Sequence, residues 1–166
     1  VMRADVLGAA LDSIENRGRI IYFSPRGPRL DQAMVRGFAA DKDATFTLLC
    51  GRYEGIDQRI IDEYDIMELS IGDYILSGGE IAAQVFVDSA VRLIDNVVGG
   101  GESATANESF EIGGLEWPLY TRPSAWRGRN VPEVLLSGHH GNIERWRKQQ
   151  SDEITKQRRP DLIKEK

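Results

Sequence analysis

A chain of 166 residues with 41% apolar and 28% charged side chains has material for one domain with an ordinary core plus a small appendage. One cysteine excludes an internal disulfide, and with two histidines it falls short of a structural zinc set; no apolar run nears the roughly 20 residues of a membrane helix, so no membrane partner is expected. The net charge of −5 hides a division: residues 1–119 hold 10 Lys+Arg against 20 Asp+Glu, whereas residues 120–166 hold 11 against 6. A basic C-terminal third on an acidic body suits a local polyanion-binding surface, and equally an ordinary solvated helix.

Residues 1–15 space Met2, Val6, Leu7, Ala10, Leu11 and Ile14 at three and four, which predicts an amphipathic helix stopped at Gly18. Residues 19–24 read as a strand whose unbroken run Ile20-Ile21-Tyr22-Phe23 suits cover on both faces. Pro25, Gly27 and Pro28 impose a loop, and residues 30–40 a helix with Ala33, Met34 and Phe38 inward. Residues 45–50 form a second strand, followed by the turn Gly51-Arg52-Tyr53-Glu54-Gly55 and a short helix over 56–64. A third strand, 66–69, leads into a glycine-bearing loop, 70–79, and residues 80–94 close the series as a helix with Ile81, Ala82, Val85, Phe86 and Leu93 inward.

Alternation of strand and helix predicts an α/β fold with a parallel sheet and right-handed crossovers. Every strand of such a sheet ends at one edge, so the loops 24–29, 50–55 and 70–79 should gather there around a ligand crevice. Residues 99–107, starting Gly99-Gly100-Gly101, have the composition of a linker. The expected division is a domain over 1–98, a flexible linker over 99–108 and a small, mainly helical domain over 109–166, with a helix at 142–150 that turns Ile143 and Trp146 inward.

No phosphate loop, dinucleotide fingerprint, nucleophile elbow or CxxC motif is present in the sequence. Cys50, at a strand end, reads as a small buried hydrophobe, and His139 and His140 as capping or surface residues rather than ligands; no metal ligand set is expected. The polar groups expected at the crevice are Arg52, Glu54, Asp57, Asp73 and Glu80, joined by Glu108 and Glu116 if the linker folds back. This inventory holds carboxylate bases and guanidinium charge but no strong nucleophile. It therefore calls for a reactive cofactor or for binding alone. Each turn taken singly fits an ordinary βα connection, with Arg52 and Glu54 as a surface ion pair.

Together the motifs are more specific. Ile21-Tyr22-Phe23-Ser24-Pro25-Arg26-Gly27, Cys50-Gly51-Arg52-Tyr53-Glu54-Gly55-Ile56-Asp57 and Ser70-Ile71-Gly72-Asp73-Tyr74-Ile75-Leu76-Ser77-Gly78-Gly79-Glu80 resemble the bacterial tRNA (guanine-N1)-methyltransferase family. Tyr120-Thr121-Arg122-Pro123, Leu135-Leu136-Ser137-Gly138-His139 and Arg158-Arg159-Pro160 follow in the same order, so the resemblance covers roughly residues 20–162. It implies the SPOUT class, whose parallel sheet carries a C-terminal trefoil knot, and a cytoplasmic homodimer with its active site at the subunit interface. The implied cofactor is S-adenosylmethionine, with Mg²⁺ a further candidate, and the implied partner is tRNA. By resemblance, Ile71, Gly72, Asp73, Tyr74, Ile75 and Leu76 hold the adenosine, with Gly51, Gly78, Tyr22, Ser24 and Pro25 as further cofactor contacts.

The implied reaction methylates N1 of the guanosine immediately 3′ of the anticodon. Neutral guanine carries a proton on N1, so transfer needs a base, and the charge shifted to O6 needs a cation. Arg92 matches the family's charge-stabilising arginine. Glu108, in Glu108-Ser109-Phe110, stands where the family has an aspartate as the base, Glu116 is the second carboxylate considered, and Glu54 matches a site glutamate. Substrate contacts are expected from Arg52, Glu116, Arg122, Arg145 and Arg147, with Arg127, Arg129, Lys148, Arg158 and Arg159 as further phosphate partners and Trp126 as a stacking surface. The chain opens on Val1, and the family's N-terminal strand and glycine-rich loop before it, with part of its last helix, are expected to be missing here. A non-catalytic RNA-binding module on the same fold and a flavodoxin-like nucleotide binder are the rival readings.

Overall fold

A computed structural model describes residues 1–95, 97 and 105–163, in two compact units, Val1–Gly101 and Glu102–Lys166. In the first unit α1 (Ala4–Asp12), β1 (Arg19–Phe23), α2 (Gln32–Ala40), β2 (Phe46–Leu49), α3 (Gln58–Glu63), β3 (Met67–Leu69) and α4 (Glu80–Val91) follow one another. The three strands form one parallel sheet in the order β2-β1-β3, with Tyr22 opposite Leu49 on one side and Glu68 on the other.

The period of two along β1 explains its unbroken apolar run. Ile20 and Tyr22 join Leu7 and Leu11 of α1 and Ile60 and Ile61 of α3 in one core. Ile21 and Phe23 join Phe38 of α2 and Ala82 and Phe86 of α4 in another. The central strand is therefore covered on both faces, as its sequence requires. Phe86 anchors the second core, its ring edge-on to Phe38 at 5.1 Å and to Phe46 at 6.0 Å between centroids.

Helix limits follow local caps. The first helix starts later than its apolar spacing suggests because Met2 is spent on a parallel bridge: its N–H donates to the Gly55 carbonyl at 2.8 Å, and its carbonyl accepts the Asp57 N–H at 3.2 Å. Asp31 caps α2 by accepting the Met34 N–H at 2.9 Å, and Asp57 caps α3 by accepting the Arg59 N–H at 3.0 Å. On α4 the inward stripe is Ala82, Phe86 and Ala90. Ile81 and Val85, expected inward, are exposed instead, because a step of 100° per residue carries them off the stripe that the sheet selects.

In the second unit a short antiparallel hairpin, β4 (Ala125–Trp126) with β5 (Arg129–Asn130), precedes α5 (Glu133–Leu136), α6 (His140–Arg158) and a 3-10 turn over Pro160–Leu162. Helix α6 runs well past the expected end at residue 150. Its last two turns lack an apolar period, which hid them, and are carried by pairs four apart: Lys148 to Asp152 at 2.9 Å and Gln149 to Glu153 at 2.8 Å. Trp146 is half-buried against Tyr120, their ring centres 6.2 Å apart. Residues 99–104 of the expected linker lie outside the described residues. Its end at 105–108 is a turn in which buried Thr105 accepts the Glu108 N–H at 3.1 Å.

Candidate functional site

Because all three strands of the first unit run the same way, their following turns meet at one edge. There they enclose a cleft of about 280 Å³ lined by all three predicted loops. Tyr22, Ser24 and Pro25 border it from β1 and its turn, Gly51, Arg52 and Glu54 from the turn after β2, and Ile71, Gly72, Tyr74, Ile75, Leu76 and Gly78 from the loop after β3. Among the residues expected to hold a cofactor, Asp73 is the one outside this lining.

Two glycines make the approach of these turns possible. A Cβ on Gly51 would stand 2.7 Å from the Tyr22 ring, and one on Gly79 would stand 2.8 Å from the Cα of Cys50. The Gly79 N–H donates to the Gly51 carbonyl at 3.0 Å, stitching the second turn to the start of α4. By contrast, the main-chain N–H groups of Ile75, Leu76, Ser77 and Gly78 find no acceptor among the described residues. The lining thus offers main-chain donors on one loop and apolar surface from Phe23, Leu69 and Ala82, the mixture a flat, polar-edged ligand needs.

Burial, followed by the charge of Glu68, pushes the Tyr22 hydroxyl above its usual range, so the ring enters the site neutral. Cys50 is half-buried rather than buried. Burial, helped by Glu80, raises its thiol too, which keeps it protonated and a poor nucleophile. Arg52 pairs with Glu80 at 2.8 Å, not with Glu54, because the first residue of α4 comes round beneath the turn. Asp57 is turned to its capping duty and to Arg59 at 2.7 Å, and does not line the cleft.

Arg92 is not in the cleft. It follows the last residue of α4, whereas Ala82, near the first, lines the site; ten residues at 1.5 Å each put about 15 Å along the axis between them. Arg92 instead borders a shallow hollow with Val87, Val91 and Val97.

Within the second unit, Glu108 and Glu116 lie on one folded segment. Arg122 and Arg147 line a common hollow of about 360 Å³ with Trp117 and Tyr120. The Arg147 guanidinium lies over the Trp117 ring at 4.9 Å. Arg145 is not in that hollow and is turned back to Gly141 and Asn142 on its own helix. Trp126 is exposed on the hairpin, with Arg127 stacked at 4.8 Å. His139 and His140 are exposed at the start of α6.

Tyr53, Ser77 and Gly79, inside the predicted loops, line the cleft too, and Phe23, Leu69 and Ala82 join it from outside them. The Gly78-Gly79 pair is the sequence signal for a close approach, and Glu80, expected at the crevice, is the partner of Arg52 and not part of the lining. Among the described residues, no group of three or more His, Cys, Asp or Glu could hold a metal ion, and no helix is long and apolar enough to cross a membrane.

A family model described as tRNA (Guanine-1)-methyltransferase TrmD matches residues 1–165. The tRNA (guanine-N(1)-)-methyltransferase of Rhodospirillum rubrum is 58% identical over 163 residues, covering 98% of this chain and 67% of that protein. The protein of the same name from Bartonella henselae is 55% identical over 162 residues, with 98% and 68% covered. That of Cereibacter sphaeroides is 51% identical over 169 residues, with 98% and 67% covered. The chain therefore spans about two thirds of the length of these relatives.

Proposed function

The chain belongs to the tRNA (guanine-1)-methyltransferase family, and on that premise we propose that it methylates N1 of the guanosine immediately 3′ of the anticodon in tRNA, using S-adenosylmethionine. The observation that carries this reading is the meeting of three glycine-bearing turns around one cleft with main-chain donors left open along Ile75, Leu76, Ser77 and Gly78. Such a lining fits a nucleoside cofactor: Gly51 and Gly79 allow close main-chain approach, while Ile71, Leu76 and Ala82 offer apolar cover. When bound, the cofactor supplies an electrophilic methyl group on a sulfonium that departs as a neutral thioether.

The remaining work falls to side chains. A carboxylate, Glu108 or Glu116, takes the proton from N1, so that the nitrogen lone pair is free to form the new bond. Arg92 faces the charge that develops on O6. Glu54 holds substrate or cofactor at the cleft, with Arg52 kept in place by Glu80. Arg122, Arg145 and Arg147 contact tRNA phosphates. Mg²⁺ stays a further candidate within this reading, and none of these steps is assigned to it.

The same reading includes a trefoil knot in the loops after the sheet and a cytoplasmic homodimer with its active site between subunits. Two features support the dimer: Arg92 lies far along α4 from the cleft of its own chain, and Ile81, Val85, Val87 and Val91 leave apolar surface exposed along that helix. Residues 1–98 then form the methyltransferase domain, 99–108 the linker and 109–166 a helical tRNA-binding domain.

The deciding experiment incubates the full-length protein with unmodified tRNA and labelled methyl donor and maps the methylated nucleosides. Label on N1 of the guanosine 3′ to the anticodon is expected. Tight tRNA binding without any transfer would replace this reading by that of a non-catalytic RNA-binding module.

A further inference from the structure

Helix α6 is 19 residues long, yet the residues it buries are two hydroxyls one turn apart, Ser151 and Thr155. Both are used on one main-chain unit. The Thr155 Oγ1 accepts the Leu115 N–H at 2.8 Å, and the Ser151 hydroxyl donates to the Leu115 carbonyl at 2.7 Å. Thr155 gives its own proton to the Ser151 carbonyl at 2.7 Å, so every donor in the group has one acceptor and one direction. Gly114 is fitted to this contact, since a Cβ there would stand 2.8 Å from the Thr155 Oγ1.

Leu115 lies inside the turn that carries both candidate bases. The Phe110 N–H donates to the Gly114 carbonyl at 2.7 Å, and the Glu116 N–H donates to the Ser109 Oγ at 2.9 Å. Holding Leu115 at both its N–H and its carbonyl therefore sets the register of the whole turn, including the main-chain positions of Glu108 and Glu116. Two apolar side chains at 151 and 155 could bury area as well, but they would leave the direction of Leu115 open.

We propose that Ser151 and Thr155 are positioning residues for methyl transfer, acting through Leu115 to hold the carboxylate that removes the guanine N1 proton. This rests on the function proposed above. It separates two duties within one helix: the exposed Arg147 face contacts RNA, and the buried hydroxyl face orients the base.

The test compares Thr155→Val, which keeps the volume and removes the hydroxyl, with Thr155→Ser and Ser151→Ala in the full-length protein. Thr155→Val and Ser151→Ala should each speed amide exchange at Leu115 and Glu116. Each should also lower kcat about 10- to 100-fold while the KM for tRNA and the cofactor affinity stay within about twofold. Thr155→Ser should restore both exchange protection and turnover. Unchanged exchange in Thr155→Val would show that the clamp does not hold the turn, and faster exchange with unchanged kcat would remove its catalytic purpose. A parallel loss of tRNA affinity and turnover, unrescued by serine, would assign the hydroxyls to general stability and overturn the proposal. If the unaltered protein transfers no methyl group, the functional reading fails and takes the catalytic purpose with it, while the exchange rates still report whether the clamp exists.

Discussion

The Ser109 hydroxyl oxygen accepts the main-chain N–H of Glu116 at 2.9 Å, so the two carboxylates considered as the base belong to one hydrogen-bonded turn. The longer reach of glutamate against the family's aspartate is thus set on a braced segment rather than a loose one. Glu108→Gln should lower single-turnover methyl transfer by about 10² to 10⁴, the usual worth of a general base, with tRNA and cofactor affinities retained. Glu116→Gln should cost less than Glu108→Gln. The reverse ranking would make Glu116 the base.

Glycine substitutions should act in opposite directions at two sites. At Gly79 a methyl group meets the Cα of Cys50, so Gly79→Ala should cost about 1–3 kcal/mol of stability. It should also weaken cofactor binding, as read by calorimetry. Gly37 lies within α2 with open space where a Cβ would go, and Gly37→Ala should add about 0.4–1 kcal/mol without changing turnover.

Acid should expose the cap of α3. The hydrogen bonds from Arg59, side chain first and then main chain, hold the Asp57 carboxyl at about 2, below its ordinary 3.8. A depressed folded value means that this contribution is present in full above the unfolded value and is lost as pH falls through the folded one. Thermal unfolding of the protein and of Asp57→Asn should therefore converge as pH falls from above 3.8 to about 2. A constant gap in Tm across that window would show that the ion pair with Arg59 does not carry the difference.

Binding of tRNA should be strongly salt-dependent. Arg147→Ala removes one phosphate partner and the cation over Trp117, and should lower the slope of log Kd against log salt by about one. Arg122→Ala, on the same hollow, should behave alike. A loss of affinity with an unchanged slope would point to packing against Trp117 rather than phosphate contact.

Periodicity revealed the first unit well, because its residues carry a strong apolar signal: a strand buried on both faces and helices with one apolar stripe. It misjudged α4, where Ile81 and Val85 are as apolar as Phe86 but are left outside. It also missed the end of α6, where the decisive buried groups are hydroxyls that no hydropathy pattern marks. The turn taken singly suggests an Arg52–Glu54 ion pair, whereas in the folded chain Glu80 holds Arg52. Separation along the chain does not report distance across a parallel sheet edge.

Sequence alone determined the strand–helix alternation, the turns that meet at one sheet edge and the family, since each depends on residue type in order. Tertiary structure alone decided which face of α4 is covered, that Arg92 lies away from its own chain's cleft, and that Leu115 is gripped by Ser151 and Thr155. Those outcomes turn on the direction of side chains after packing, and direction is a property of the assembled chain rather than of any residue within it.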